Sequence, residues 1–160
     1  MSIFTAIDFE TADYGRDSAC AVGAVVVENG VIIERYHRLI RPPRRDFVFT
    51  CIHGLNWSDV RHSPSFAEMW PELEPLIDRA EFLVAHNAPF DRGVLHACCA
   101  AADIPAPRQK FRCTVQLART TWDLPSASLP VVCAHLGIPL DHHNPISDAE
   151  ACARIAIVAL

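Results

Sequence analysis

The sequence predicts an α/β fold in which a mixed five-stranded sheet is flanked by helices. Two observations carry that prediction. The runs Cys20–Glu28 and Val31–Ile40 meet at Asn29-Gly30, a dipeptide suited to the positive φ angles of a two-residue hairpin turn. Beyond the hairpin, short apolar runs alternate with helical patterns, so the antiparallel start continues into a sheet packed by helices. With 160 residues, 51% of them hydrophobic, the chain can fill one sizeable core, and residues 1–160 are expected to form one domain.

In chain order, the first strand is expected over Ile3–Glu10, followed by the two hairpin strands. A Pro- and Arg-rich loop (Arg41 to Asp46) and an irregular stretch (Cys51 to Leu55) come next. Ser63-Pro64 opens a helix with Phe66, Met69, Leu73, Leu76 and Ile77 at near-helical spacing, and Pro71 and Pro75 are its expected break points. Glu81–Ala85 reads as a short strand leading into a helix from Pro89 to Ala102. Phe111–Thr114 is the last strand, followed by helices over Val115–Arg119, over Leu129–Leu136 up to Gly137, and from Pro145 towards Leu160.

Composition narrows the function. A net charge of −5 argues against a protein that coats nucleic acid through overall basicity, although 13 of the 14 basic residues are Arg and Arg38, Arg41, Arg44 and Arg45 cluster. The seven cysteines form no C-x2-4-C pair, and Cys98, Cys99, Cys133 and Cys152 sit among apolar residues, the pattern of reduced core thiols in a cytoplasmic protein. His96 and Cys99 lack the four-ligand spacing of a zinc site. Asp8 interrupts the chain before a signal-like run develops, and the apolar stretch Cys20–Val27 is too short to span a bilayer, so no membrane association is expected.

Four acids carry the candidate chemistry. Asp8 and Glu10 are two apart on the first strand, so their carboxylates share one face. In His86-Asn87-Ala88-Pro89-Phe90-Asp91, Pro89 suits the first helical position and Asp91 falls in the first turn, near the positive end of the helix dipole. In His143-Asn144-Pro145-Ile146-Ser147-Asp148, Pro145 forces Asn144 out of helical backbone and makes it an N-cap. His143 is thereby left in the incoming loop, from which its ring can reach over Asp148. Each motif alone has an ordinary explanation: acids ending a strand, an acid stabilising its helix, a surface histidine beside a cap. Together they bring hard oxygen ligands to one edge of the sheet, a set suited to two Mg²⁺ or Mn²⁺ ions and to phosphodiester hydrolysis, with His143 able to take a proton near neutral pH.

Asp8-Phe9-Glu10-Thr11, His86 to Asp91, and His143 with Asp148-Ala149, in this order, closely resemble the three motifs of the DEDDh (DnaQ-like) 3′-5′ exonucleases, the family of the proofreading epsilon subunit of bacterial DNA polymerase III. Ile52-His53-Gly54, Cys113-Thr114 to Leu117-Ala118-Arg119 and Leu136-Gly137-Ile138 extend the resemblance over nearly the whole chain. It implies a ribonuclease H-like fold and hydrolysis from a free 3′ end with release of nucleoside 5′-monophosphates. It assigns Asp8, Glu10 and Asp148 to the metals, Asp91 to support of the second metal, and His143 to the general base. Thr11, His53 and Leu55 become candidates for contact with the terminal nucleotide. The sequence departs from the family at Ala12-Asp13, which replaces a common Thr-Gly, at Cys113, where many relatives have Asp, and in the doubling His142-His143. The expected partner is nucleic acid, with single-stranded or frayed DNA ends favoured. RNA trimming of the oligoribonuclease or RNase T type and a non-catalytic nucleic-acid-binding module are the alternatives.

Overall fold

Asn29 and Gly30 take φ angles of 51° and 77°, the left-handed values their sequence invites, and join β2 (Ala19–Glu28) to β3 (Val31–Leu39). In the computed structural model, which describes residues 2–160, β1 (Ile3–Thr11) pairs antiparallel with β2 and parallel with β4 (Phe82–Ala85). Parallel to β4 lies β5 (Lys110–Cys113), giving the order β3-β2-β1-β4-β5. The expected mixed five-stranded sheet is therefore present, with strand bounds within a residue of expectation.

Side-chain alternation splits the core into two layers. Ile7, Phe9, Val22, Val26 and Leu83 face α3 (Phe66–Asp78) and α4 (Ala88–Ala101). Phe4, Ala6, Val25, Val27 and Val84 face α6 (Leu129–Leu136) and α7 (Pro145–Ala159), with Ala118 of α5 (Thr114–Thr121) closing the same layer. Continuing the period of two from Phe4 and Ala6 puts Asp8 and Glu10 on the α7 side.

Two expectations change. Pro71 and Pro75 do not break α3, which runs continuously from a capping box formed by Ser65 and Glu68. Both prolines lie on its exposed face, where water can satisfy the carbonyls they leave unpaired, while Phe66, Met69, Trp70, Leu73, Leu76 and Ile77 are buried on the other. The stretch after the Arg-rich loop is not irregular. It contains the single turns α1 (Thr50–His53), ended by Gly54 at φ 78°, and α2 (Trp57–Val60), started by a capping box of Asn56 and Asp59. None of the described helices is long and apolar enough to cross a membrane.

Candidate active site

The edge of the sheet at the end of β1 is built around a missing side chain. Gly23 lies opposite Asp8 in the β1/β2 register, and a Cβ there would sit 2.3 Å from the carbonyl oxygen of Pro145. Only glycine lets the first turn of α7 settle onto the sheet beside Asp8. That turn carries Asp148, which is 3% exposed. Carboxylate oxygens of Asp8, Glu10 and Asp148 thereby lie within 4.8 Å of one another.

Asp91 comes from the other layer. It sits in the first turn of α4, one residue further into the helix than Pro89 at the first position would place it, because the helix begins at Ala88. Its Oδ1 accepts a hydrogen bond from the Phe9 N–H at 2.9 Å, which ties α4 to the backbone between Asp8 and Glu10. Asp91 therefore flanks the three-acid group rather than joining its shared oxygen cluster.

The loop before α7 behaves partly as its sequence suggests. Asn144 is the extended N-cap residue and Pro145 begins the helix, but the Asn144 side chain makes no cap and instead donates to Asp141 Oδ2. His143 adopts φ 68°, and its backbone N–H, rather than its ring, donates to Asp148 Oδ2 at 3.0 Å. The ring against Asp148 Oδ1 is that of His142, with Nδ1 at 3.3 Å. The two imidazoles stack with centroids 3.8 Å apart, and a ring nitrogen of each lies within 4.8 Å of an Asp148 oxygen.

The electrostatics of the cluster are those of acids short of a cation. Burial first, and then Asp91, Asp148 and Glu10, push Asp8 well above its ordinary value. Burial followed by Asp148 and Asp91 raises Glu10 to about 8, and burial raises Asp91 and Asp148 as well. Asp8 Oδ2 is buried with no hydrogen-bond partner. Neither Arg nor Lys lines the cleft. An unpartnered buried carboxylate oxygen amid further carboxylates fits hard divalent cations, which take oxygen ligands and relieve the repulsion. Burial, followed by the neighbouring His142, holds His143 below its usual value, leaving its imidazole neutral near pH 7.

The acids open into a cleft of about 310 Å³. Thr11 lines it at the end of β1, just past a register shift. His53 lines it too, but its Nδ1 accepts from the Leu55 N–H and its Nε2 therefore donates to the Thr11 carbonyl at 2.9 Å. Both ring nitrogens are occupied, and His53 pins the strand end. Leu55 does not line this cleft; it packs beside Ala12, Cys20 and Val60 and borders a neighbouring hollow. Three wall residues escaped sequence reasoning. Phe49 and the partly exposed Ile52 and Phe90 present apolar surface, and only their final exposure distinguishes them from core residues. His86 also lines the cleft, its Nδ1 2.8 Å from Thr114 Oγ1 and its pKa lowered to about 4, chiefly by burial. His96 and Cys99 gather no further metal ligands among the described residues.

A sequence-family model described as "Exonuclease" (RNase_T) matches residues 5–156. The chain belongs to this exonuclease family. Its relatives include the PolC-type DNA polymerase III of Thermotoga maritima, 31% identical over 156 residues; that alignment covers 95% of this chain and 11% of the polymerase. Exonuclease X, solved in complex with 5′ overhanging duplex DNA, superposes with a TM-score of 0.79 at 24% identity, over 98% of this chain and 90% of that one. The nuclease domain of 3′hExo, a DEDDh family member bound to rAMP, gives 0.80 at 16% identity, over the same shares of the two chains. The fold is that of the ribonuclease H-like exonucleases, and the family acts on nucleic acids.

Proposed function

We propose that residues 1–160 form one exonuclease domain that hydrolyses single-stranded or frayed DNA from the 3′ end, releasing nucleoside 5′-monophosphates with the aid of two Mg²⁺ or Mn²⁺ ions. The observation that carries this reading is the convergence of Asp8, Glu10 and Asp148 within 4.8 Å, with Asp8 Oδ2 buried and unpartnered. These three acids would hold the ions, with Asp91 supporting the second. Bound there, divalent ions supply the positive charge that favours an attacking oxygen on one side of the phosphorus and a leaving oxygen on the other.

The chain's own residues do the rest. Asp91, fixed by the Phe9 N–H, holds the β1 backbone so that Asp8 and Glu10 stay on one side of the edge. His143, neutral near pH 7 and with no hydrogen bond to its ring, accepts the proton of the attacking water at an imidazole nitrogen. Phe49, Ile52 and Phe90 offer apolar surface to the terminal base, beside Thr11. The preference for DNA follows the name of the polymerase relative; the rAMP-bound neighbour keeps RNA as the second reading. Seven unpaired cysteines suit a reducing, cytoplasmic compartment.

The test is product analysis of matched end-labelled DNA and RNA oligonucleotides with Mg²⁺ or Mn²⁺. Stepwise shortening of 5′-labelled DNA with 5′-mononucleotide products is expected. A strong preference for RNA would overturn the substrate, and binding without hydrolysis in either metal would overturn the enzyme.

A further inference from the structure

We infer that the free edge of β5 carries a second nucleic-acid contact, a basic groove that binds the phosphate backbone of the single strand whose end enters the cleft. This rests on the proposed function for the identity of the strand. The groove has a volume of about 690 Å³ and is lined by Arg92, His96, Arg108, Lys110, Arg112 and Gln116, among others, with no Asp or Glu. In a chain of net charge −5, such a concentration of one sign is not a sample of the general surface.

The pairing of the cations sharpens the point. Arg35, Arg38, Arg41, Arg44, Arg79 and Arg154 all bind carboxylates. Among the described residues, Arg92, Arg108, Lys110 and Arg112 bind none; Arg16, Arg45, Arg61 and Arg119 bind none either, but those four lie outside the groove, whereas every cation that lines it is free of a carboxylate. Lys110 and Arg112 share one face of β5, roughly 6.5 Å apart along the strand, and Arg108 lines the groove from the segment just before it. Arg92 and His96, one turn apart on α4, face the groove from its other wall. His96 is held below its ordinary value by burial and then by Arg92, and no carboxylate offsets that charge.

Charged residues on an edge strand also discourage sheet-to-sheet pairing, and β5 is such an edge. That role explains Lys110 and Arg112 but not the contribution of α4 or the absence of acids. The groove also lies where a strand would need it. His86 and Phe90 line the cleft while Ala88 and Pro89, in the same turn, line the groove, so the two hollows share one wall. Cations free of carboxylates along a hollow match a contact to the phosphates of a nucleic-acid strand.

The experiment measures equilibrium binding by fluorescence anisotropy, in chelator and over a range of salt, to labelled single strands of about four and about twenty nucleotides. Arg108→Gln, Lys110→Gln and Arg112→Gln are combined in one variant. A matched control removes the same charge at the opposite edge through Arg35→Gln, Arg38→Gln and Arg79→Gln. The groove variant is expected to lose about tenfold in affinity for the longer strand at low salt and to flatten the slope of log K against log salt by about 2, near 0.7 per phosphate contact. The control keeps the wild-type slope. Arg92→Gln with Arg108→Gln, both outside β5, provides the same comparison should the triple variant fail to melt cooperatively. An unchanged slope in the groove variant, an equal loss in the control, or equal competition by polyglutamate would overturn the groove. Tight, salt-sensitive binding of the longer strand by a protein that no metal makes hydrolytic would instead overturn the proposed function and leave the groove standing.

Discussion

Two acidic clusters occupy the same end of the molecule and resolve their repulsion in opposite ways. Asp13 and Asp17 share Arg44, whose guanidinium reaches both carboxylates at 2.6 to 3.2 Å, and hydrogen bonds from Arg44 hold both acids below their ordinary values. Asp8, Glu10, Asp91 and Asp148 have no such partner, and burial holds all four above theirs. The first cluster is complete within the chain. The second stays unbalanced until something positive from outside enters it, which is the condition a metal-dependent site must satisfy before its metal arrives.

The comparison breaks most sharply by substituting one acid from each cluster. Asp8→Asn is expected to cost at least roughly 10³-fold in metal-dependent hydrolysis, since the loss of several kcal/mol of charge stabilisation multiplies tenfold for each 1.4 kcal/mol. Asp17→Asn should leave the rate within a few-fold of wild type. Rates measured on one labelled oligonucleotide decide it, and comparable losses in both variants would erase the distinction between the clusters.

Next in size is the choice between the stacked histidines. His143→Ala is expected to cost about 10²–10⁴-fold, the scale of a lost general base. His142→Ala should cost less, because its ring meets Asp148 while that carboxylate keeps its bond from the His143 N–H. A dead His142→Ala beside an active His143→Ala would transfer the base by one residue. Gly23→Ala tests how the edge is assembled. Its Cβ meets backbone rather than a yielding side chain, so α7 must move, at a cost of about 1–3 kcal/mol in thermal or urea unfolding together with a loss of activity.

Most of this architecture was legible in the sequence, and the failures are instructive. Asn29-Gly30, Pro145 and Gly137 announced their structures because each constrains backbone locally. Pro71 and Pro75 misled because their effect depends on which face of α3 meets water. The acids were legible as an ordered set, and alternation alone put Asp8 and Glu10 on one side. Gly23 gave no signal, since its meaning comes from a helix more than a hundred residues away. That the His142 ring and the His143 backbone N–H would be the groups bonded to Asp148 was equally hidden, because it turns on one left-handed residue, His143, with no glycine or asparagine to mark it.

The remaining contrast lies in pH dependence, where the clusters should differ in sign. In Glu10 the folded state holds its proton up to about 8 against an ordinary 4.5, so the folded protein binds more protons than the unfolded chain throughout that interval. Without metal, stability should therefore be greatest below pH 4.5 as far as this group is concerned, and should fall as pH rises towards 8, by up to about 1.4 kcal/mol per unit for each such group. Asp13 and Asp17 act the other way: their contribution is present above the ordinary carboxylate value and is lost as pH falls through their lowered ones. It is also small, about 0.2–1 kcal/mol for each partly exposed pair, so Arg44→Ala should shift unfolding only slightly and only above that range. Melting curves in chelator should show stability declining across the upper interval in wild type and Arg44→Ala alike, and less steeply in Glu10→Gln. Excess Mg²⁺ should flatten the decline, because the ion takes the place of the protons that the buried acids otherwise retain. A chelated wild type whose stability is level from pH 4.5 to 8 would mean that the buried acids are already balanced, and the contrast with Asp13 and Asp17 would vanish.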